Sequence, residues 1–171
     1  MRSKPKNPLY QAGWWCYDRN APIVEGTHIA AQHAISSAVT AARALAKKPI
    51  KVSAVYAICR PPGHHAGKEC FGGMCFLNNA AAAAEILSRE RGGSKVAIID
   101  IGFHHGNGTQ DIFYDRSDVF YSSVHADPNQ EFPYYSGYPE ETGEGEGEGY
   151  NFNVPIAVDL QLPGHGVRTP L

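Results

Sequence analysis

Histidines come in adjacent pairs in this sequence. His64 and His65 lie in RPPGHHAGKECFGGM (residues 60–74), and His104 and His105 follow Asp100 in VAIIDIGFHHGNGTQDIF (residues 96–113). Imidazole can exchange a proton near neutral pH, and its neutral form binds divalent metals. Two consecutive histidines in a Pro/Gly loop point in different directions. One can act as general base toward a water while the other supplies a charged donor. The plainer alternative is two solvated loop histidines. Asp100 ends an apolar run, where a carboxylate is costly to bury unless it is paired or bound to a cation. It could orient one ring of the His64–His65 pair and set its tautomer, or bind a cation through oxygen. His104 suits a divalent ligand. His105 reads as a packed, hydrogen-bonded histidine, and His28 and His33 as histidines without chemistry.

Two other features invite chemistry and fail to support it. GEGEGEG (143–149) neither follows a strand nor opens a helix, so it is not a phosphate loop and reads as a solvated, mobile segment. Cys70 and Cys75 could join His64 or His65 at zinc, but their spacing fits no common structural zinc pattern.

These side chains need elements to carry them. Residues 1–24 hold Pro5, Pro8 and Pro22 among clustered aromatics and read as irregular. Residues 25–48 are alanine-rich and predict a long helix with Thr27 as a cap. KVSAVYAI (51–58) is β-branched and predicts a strand. Residues 77–90 predict a helix ended by Gly92 and Gly93. Residues 96–101 predict a strand buried on both faces, 108–116 a short helix, and 118–125 a further strand. Alternating helices and strands predict an α/β domain on a mainly parallel sheet, where ligands sit at the carboxyl ends of strands. There His64, His65, Asp100, His104, His105 and His125 would gather.

The bulk properties narrow the class. The chain has 171 residues, enough for one domain with a core; 43% are hydrophobic and 19% charged, an ordinary globular balance. A formal net charge of −2 argues against nucleic acid held by bulk electrostatics. No apolar run spans a membrane, and the basic start lacks the apolar segment of a secretory signal. Four cysteines without a C-x-x-C pair suit free thiols and a cytoplasmic protein.

RPPGHHA, GGMCFLNNAAAAA, IDIGFHHGNGTQDIFY, SSVHADP and TGEGEGEGYNFNVPI, in this order, resemble the zinc-dependent histone deacetylase superfamily. The resemblance is to its bacterial class II-like members and acetylpolyamine amidohydrolases, and YDRNAPIVEGTHIAAQHAISSA adds to it. It covers roughly residues 10 to 156. It implies a three-layer α/β/α fold of the arginase/deacetylase kind and removal of acetyl groups from lysine or polyamine nitrogens, with a metal-bound water as nucleophile. By motif position His64 and His65 are the tandem active-site histidines, with His65 the general base and acid. Asp100 orients His64, and Asn107 stands where the family has Asp or Asn beside the second histidine. His104 is a zinc ligand. A structural potassium site would use Asp100, the main-chain oxygens of Gly102, His104 and Val124, and the Ser123 hydroxyl. Met74 and Phe132 wall the acyl tunnel, wider here because Met74 is often aromatic in the family, and Asp18 is a rim carboxylate.

The motif also departs from the family. Its pattern is Asp-x-Asp-x-His, and the second Asp is a zinc ligand; Gly102 stands there. The third ligand Asp and the oxyanion tyrosine belong to family segments without a counterpart in this sequence, as does the family's first strand. Residues 157–171 diverge. The sequence therefore reads as one deacetylase-like domain, incomplete at both ends, with weakened zinc affinity. Two outcomes are expected of such a chain: a metal-dependent amidohydrolase, or an inactive deacetylase-like domain that binds an acetylated ligand or a partner. An arginase-like two-metal hydrolase would need more acidic ligands after the strands. The family's polyamine enzymes tend to dimerise, so a homodimer is among the expected assemblies. Asp127, Glu131, Glu140 and Glu141 would suit an acidic entrance for a polyamine.

Overall fold

The structure is a computed structural model that describes residues 4–47, 49 and 52–158. Three parallel strands form its sheet in the order β1–β2–β3: Val96–Asp100, Val119–Ala126 and Asn151–Ile156. The register pairs Asp100 with Ser123 and Ser123 with Asn153, which puts the carboxyl ends of all three strands side by side. Among the described residues, four α-helices precede or connect the strands: α1 Pro8–Trp15, α2 Thr27–Ala46, α3 Asn79–Glu90 and α4 Asn107–Phe113. The parallel α/β class expected from the alternating elements is what the chain adopts.

Packing follows the residue types. The buried side of α2 is alanine throughout, Ala31, Ala34, Ala38, Ala42 and Ala46, and it lies against α3. Such small side chains let two helix backbones approach closely. Arg43 Nε donates to Glu90 Oε1 at 3.0 Å and Arg91 Nη2 to the Leu45 carbonyl at 2.6 Å, tying the two helices at their ends. Beneath them, Ala81 and Ala84 of α3 meet Phe113 of α4 and Val119 of β2, with Val96, Ile98 and Ile112 around this core. Helices α3 and α4 thus cover one face of the sheet. On the other face Ile99, Phe152 and Ile156 are more than half exposed. Among the described residues the chain builds the sheet and one helical layer.

Several expectations need correction. Residues 8–15 are helical rather than irregular; Pro8 takes the first helical position, where a missing N–H costs nothing. Thr27 is the first residue of α2, after an N-cap at Gly26, and its hydroxyl accepts the Val24 amide at 2.9 Å. Residues 52–58 form no strand: their β-branched run lacks a hydrogen-bonded neighbour, and Tyr56 and Ile58 are 88% and 80% exposed. Lys51 and residues 159–171, most of the divergent tail, lie outside the described residues. Strand β3 was missed because Asn and Pro weaken its pattern. The Gly/Glu stretch is a tight ordered turn, with a 3₁₀ segment at Gly145–Gly147. The Glu144 amide donates to the Tyr114 carbonyl at 2.8 Å, and Thr142 Oγ1 donates to Glu148 Oε1 at 2.7 Å.

The long segment between β2 and β3 is held by buried amides. Gln110 Oε1 accepts from Asn151 and Asn153 Nδ2, both at 2.9 Å, and Gln110 Nε2 donates to Glu141 Oε2 at 2.7 Å. Glu141 Oε2 also takes the Gly137 amide at 2.8 Å. This network presses residues 134–141 back onto the strand ends.

Candidate active site

The two paired-histidine segments meet because α4 docks on the first of them. The amides of Gly108 and Thr109 both donate to the His64 carbonyl, at 2.9 and 3.1 Å. A Cβ on Gly108 would lie 2.4 Å from the Ala66 backbone, so only glycine permits this approach. Asn78, the N-cap of α3, reinforces the joint: its Nδ2 donates to the Ala66 carbonyl and to Thr109 Oγ1, both at 3.0 Å.

His64 and His65 then stand with ring centroids 4.0 Å apart and acquire different partners. His64 Nδ1 donates to Asp100 Oδ2 at 2.9 Å. His65 Nδ1 donates to Asn107 Oδ1 at 2.7 Å, which directs that amide's Nδ2 to the hydroxyls of Tyr135 at 2.9 Å and Tyr17 at 3.4 Å. The Tyr17 hydroxyl donates in turn to the His65 carbonyl at 3.0 Å. Burial, and next the neighbouring His64, push His65 down to about 4, so its ring is neutral at pH 7. Burial opposes ionisation of Asp100, but hydrogen bonds from His64, the Gly102 amide and the Tyr121 hydroxyl outweigh it and hold the carboxyl below its ordinary range. Burial and then the Asp100 charge raise Tyr121 well above a normal phenol.

The other predicted residues fall into three groups. His104 lies near this pair, its ring 6.0 Å from that of His65; burial lowers its pKa, against the pull of Glu131. Phe132 is beside both, with its ring edge-on to His65 at 4.9 Å and to His104 at 5.6 Å, and stacked on Tyr17 at 6.3 Å. His105 and His125 sit behind, buried, with rings 4.6 Å apart. His125 Nε2 donates to the Gly137 carbonyl at 2.9 Å, so its Nδ1 accepts from the Ser123 hydroxyl at 2.8 Å. His105 Nδ1 has the Ser136 hydroxyl 3.3 Å away, while its Nε2 has no partner among the described residues. Asp18 and Met74 belong to the loop that passes His65 at Gly73. Asp18 accepts the Gly73 amide at 2.7 Å and the Asn20 amide at 2.8 Å, so its carboxylate organises the loop under Met74. Met74, 59% exposed, lines a neighbouring cleft with Pro61, Pro62 and Phe76.

Gly102 leaves the position beside His64 and Asp100 without a side chain. A Cβ there would lie 2.9 Å from His64 Cε1 and 3.0 Å from Asp100 Oδ1. A side chain there would need the His64 ring or the Asp100 carboxylate to shift slightly. Among the described residues no three His, Cys, Asp or Glu side chains are grouped to hold a metal ion. Asp100 and Ser123, by contrast, face each other across the register of β1 and β2. Ser123 gives its proton to His125, which leaves its oxygen lone pairs for a cation.

Tyr17, Tyr135, Tyr121 and Glu131 belong to this neighbourhood and were not assigned these contacts from the sequence. Tyr17, Tyr135, His65 and Asn107 line a cleft of about 600 Å³. The only hint in the sequence was the concentration of aromatics in residues 10–17 and 132–138.

Comparison with known proteins bears on this arrangement. The sequence profile of the histone deacetylase domain matches residues 1–162. The acetylpolyamine amidohydrolase of Mycoplana ramosa is 48% identical over 146 residues, 84% of this chain and 42% of that protein. Acetylpolyamine amidohydrolase 2 of Pseudomonas aeruginosa is 47% identical over 156 residues, 91% of this chain and 44% of that protein. The crystal structure of the acetylpolyamine aminohydrolase from Burkholderia pseudomallei superposes with a TM-score of 0.81 at 42% identity, over 91% of this chain and 45% of that one. A histone deacetylase homologue from Aquifex aeolicus gives a TM-score of 0.72 at 35% identity, over 83% of this chain and 37% of that one. The chain thus spans less than half the length of these relatives, and its sheet with one helical layer matches part of their three-layer α/β/α class of fold.

Proposed function

Because the chain belongs to the histone deacetylase family, we propose that its single domain, residues 1–171, carries the acid–base portion of an amide-hydrolysing site for acetylated amines. One observation carries this reading: two adjacent imidazoles, each anchored through Nδ1, on Asp100 at 2.9 Å and on Asn107 at 2.7 Å. Anchoring Nδ1 leaves Nε2 for chemistry and sets the tautomer. In neutral His65 the Nδ1 proton points at Asn107, so Nε2 holds the lone pair. That nitrogen takes a proton from an attacking water and returns it to the leaving amine. His64 has a carboxylate behind it, so it can bear positive charge and donate to the oxygen of the tetrahedral intermediate. Phe132 and Met74 wall the acyl channel, with Phe132 supported by its packing on both His65 and His104, and Asp18 is a carboxylate of its rim.

Zinc is the metal the family implies, and the residues present do not fit its usual site. His104 remains as one ligand, but Gly102 offers no side-chain donor, and no three ligand side chains are grouped among the described residues. Potassium fits better. Asp100, Ser123 and the carbonyls of Gly102, His104 and Val124 would hold it at the paired ends of β1 and β2, where a hard cation suits oxygen donors and would steady the strand end beneath His64.

Acetylated polyamines are the substrate favoured by the relatives' names, with acetyl-lysine as the alternative of the same chemistry. The four free cysteines support a cytoplasmic location. A homodimer is the assembly that goes with this reading, and sedimentation velocity measures it. Gly102 favours a second reading, a silent domain that binds the acetylated ligand without cleaving it. Release of amine from N-acetylputrescine and from an acetyl-lysine peptide, with divalent metal supplied, decides between them. Hydrolysis lost in His65→Ala supports the first reading. Saturable binding without hydrolysis supports the second, and absence of both refutes the two.

A further inference from the structure

An asparagine sets the tautomer of an imidazole less surely than a carboxylate does. The two ends of its amide are nearly the same shape, and only their hydrogen-bond partners set which end faces where. With Asn107 Oδ1 toward His65 Nδ1, the ring keeps its proton on Nδ1 and its lone pair on Nε2. Reversed, the amide would present Nδ2 to the same ring nitrogen, and the proton would move to Nε2. Either arrangement satisfies the contact at 2.7 Å. The choice therefore lies with the groups at the far end of the amide.

Two phenols stand there, Tyr135 at 2.9 Å and Tyr17 at 3.4 Å from Asn107 Nδ2. They are not equivalent. Tyr135 is exposed, and among the described residues no acceptor takes its proton. Its hydroxyl can accept from Nδ2 or turn and donate to Oδ1, so it serves both orientations of the amide. The Tyr17 hydroxyl cannot. Its proton goes to the His65 carbonyl at 3.0 Å. Toward Asn107 it presents only lone pairs, which an N–H meets and a carbonyl oxygen repels.

The surroundings hold Tyr17 in place. Its amide donates to the Phe71 carbonyl at 3.2 Å, and the Phe71 amide to the Trp15 carbonyl at 2.8 Å, so residues 15–17 run beside the end of the histidine loop. Its ring is stacked on Phe132 at 6.3 Å and edge-on to Tyr135 at 6.1 Å. A Cβ on Gly72 would lie 2.5 Å from Tyr17 Cζ, so a side chain there would have to displace the ring. Burial, against the pull of the Asn107 hydrogen bond, lifts the phenol well above its usual range. The hydroxyl thus keeps the proton that it gives to the His65 carbonyl.

We propose that Tyr17 is a positioning residue of the acid–base site: its committed hydroxyl orients the Asn107 amide, the amide holds the proton on His65 Nδ1, and Nε2 is left bare toward a water. The three contacts close a ring that starts and ends on His65. The longer of the two phenol contacts makes the selection, because the direction of the bond decides it and not its strength. The proposal rests on the acid–base reading above, but a tautomer is measured without substrate or metal, so each can fail alone.

Long-range ¹H–¹⁵N spectra of the full chain at pH 7 report the tautomer of His65, whose signals are identified by their loss in His65→Gln. The wild-type ring should carry its proton on Nδ1. Tyr17→Phe keeps the packed ring and removes the hydroxyl. It should move the tautomer ratio toward the Nε2–H form by roughly 3–10-fold, the worth of one net hydrogen bond. Tyr135→Phe should move it less, although its contact is shorter. Asn107→Asp supplies two equivalent oxygens that need no orienting, so adding Tyr17→Phe to it should change nothing. An unchanged ratio in Tyr17→Phe overturns the proposal. An equal or larger shift in Tyr135→Phe does so too, as does the same shift from Tyr17→Phe in the Asn107→Asp chain. The expected tautomer and its response to Tyr17→Phe, without amide hydrolysis, would leave this role standing and refute the hydrolase reading.

Discussion

Asp100 receives three donors: His64 Nδ1 at 2.9 Å, the Gly102 amide at 2.9 Å and the Tyr121 hydroxyl at 3.2 Å. Asp100→Ala strands all three at the end of a half-buried strand. The expected cost is about 3 kcal/mol, read as a lower urea midpoint, because unpaired buried donors forfeit their desolvation. Asp100→Asn should cost less, since its amide oxygen can still accept from His64 but brings no charge. His105 shows the opposite economy, a histidine kept neutral. Burial, then the adjacent His125, push it down to about 3, against an ordinary value of 6.5. Its contribution is therefore complete above about pH 6.5 and is lost as pH falls toward 3. Urea midpoints measured from pH 7 to pH 4 should fall steadily, and His105→Asn should flatten that slope. His64, His65, Asp100 and His104 could be singled out from residue type and spacing. The partners Asp100 and Asn107 were expected from motif position, whereas the contacts of Tyr17, Tyr121 and Tyr135 were not, because those residues reach the site only through the fold.

Helix ends and helix faces decide how these residues are presented. Asn78 caps α3 by accepting the Ala81 amide at 3.0 Å, and its other side-chain atom grips the histidine loop and α4. Asn78→Ala should cost about 2 kcal/mol or more, exceeding an ordinary cap because three bonds are lost together. Chemical denaturation measures it. The alanine face of α2 predicts the reverse kind of damage. Ala42 is 2% exposed. Ala42→Leu should overpack the helix pair and cost about 1–3 kcal/mol, visible as a lower Tm. The long helices were legible because alanine runs and Gly stops are local signals, and α3 ends at Gly92 and Gly93 with φ of 72° and 80°. Strand β3 was not, since its identity depends on β2 lying beside it. The run at 52–58 failed for the same reason in reverse: a β-branched sequence without a neighbouring ladder is only an extended segment.

At the scale of the molecule, among the described residues, the sheet is covered on one face and open on the other. Ile99, Ile101, Phe152 and Ile156 are 64%, 83%, 56% and 54% exposed, a larger apolar surface than monomers usually show. The chain as it stands should bind a hydrophobic dye such as ANS in its folded state and self-associate with rising concentration. Ile101→Lys combined with Phe152→Lys should reduce both, as read by fluorescence and sedimentation velocity.

Helices α2 to α4, strands β1 and β2, the parallel class and the residues able to do acid–base chemistry follow from the sequence alone. Periodicity, turn residues and motif spacing are local, and the resemblance to histone deacetylases rests on motifs read in order. Gly102 was likewise visible as a missing donor. The tertiary structure decided what surrounds that gap. It set His64 over the vacant position, tied His65 to Asn107 and two tyrosines, and brought Glu131 within 3.9 Å of His104. Those relations join segments tens of residues apart, and only the closing of the chain on itself settles which side chains share a few ångströms of space.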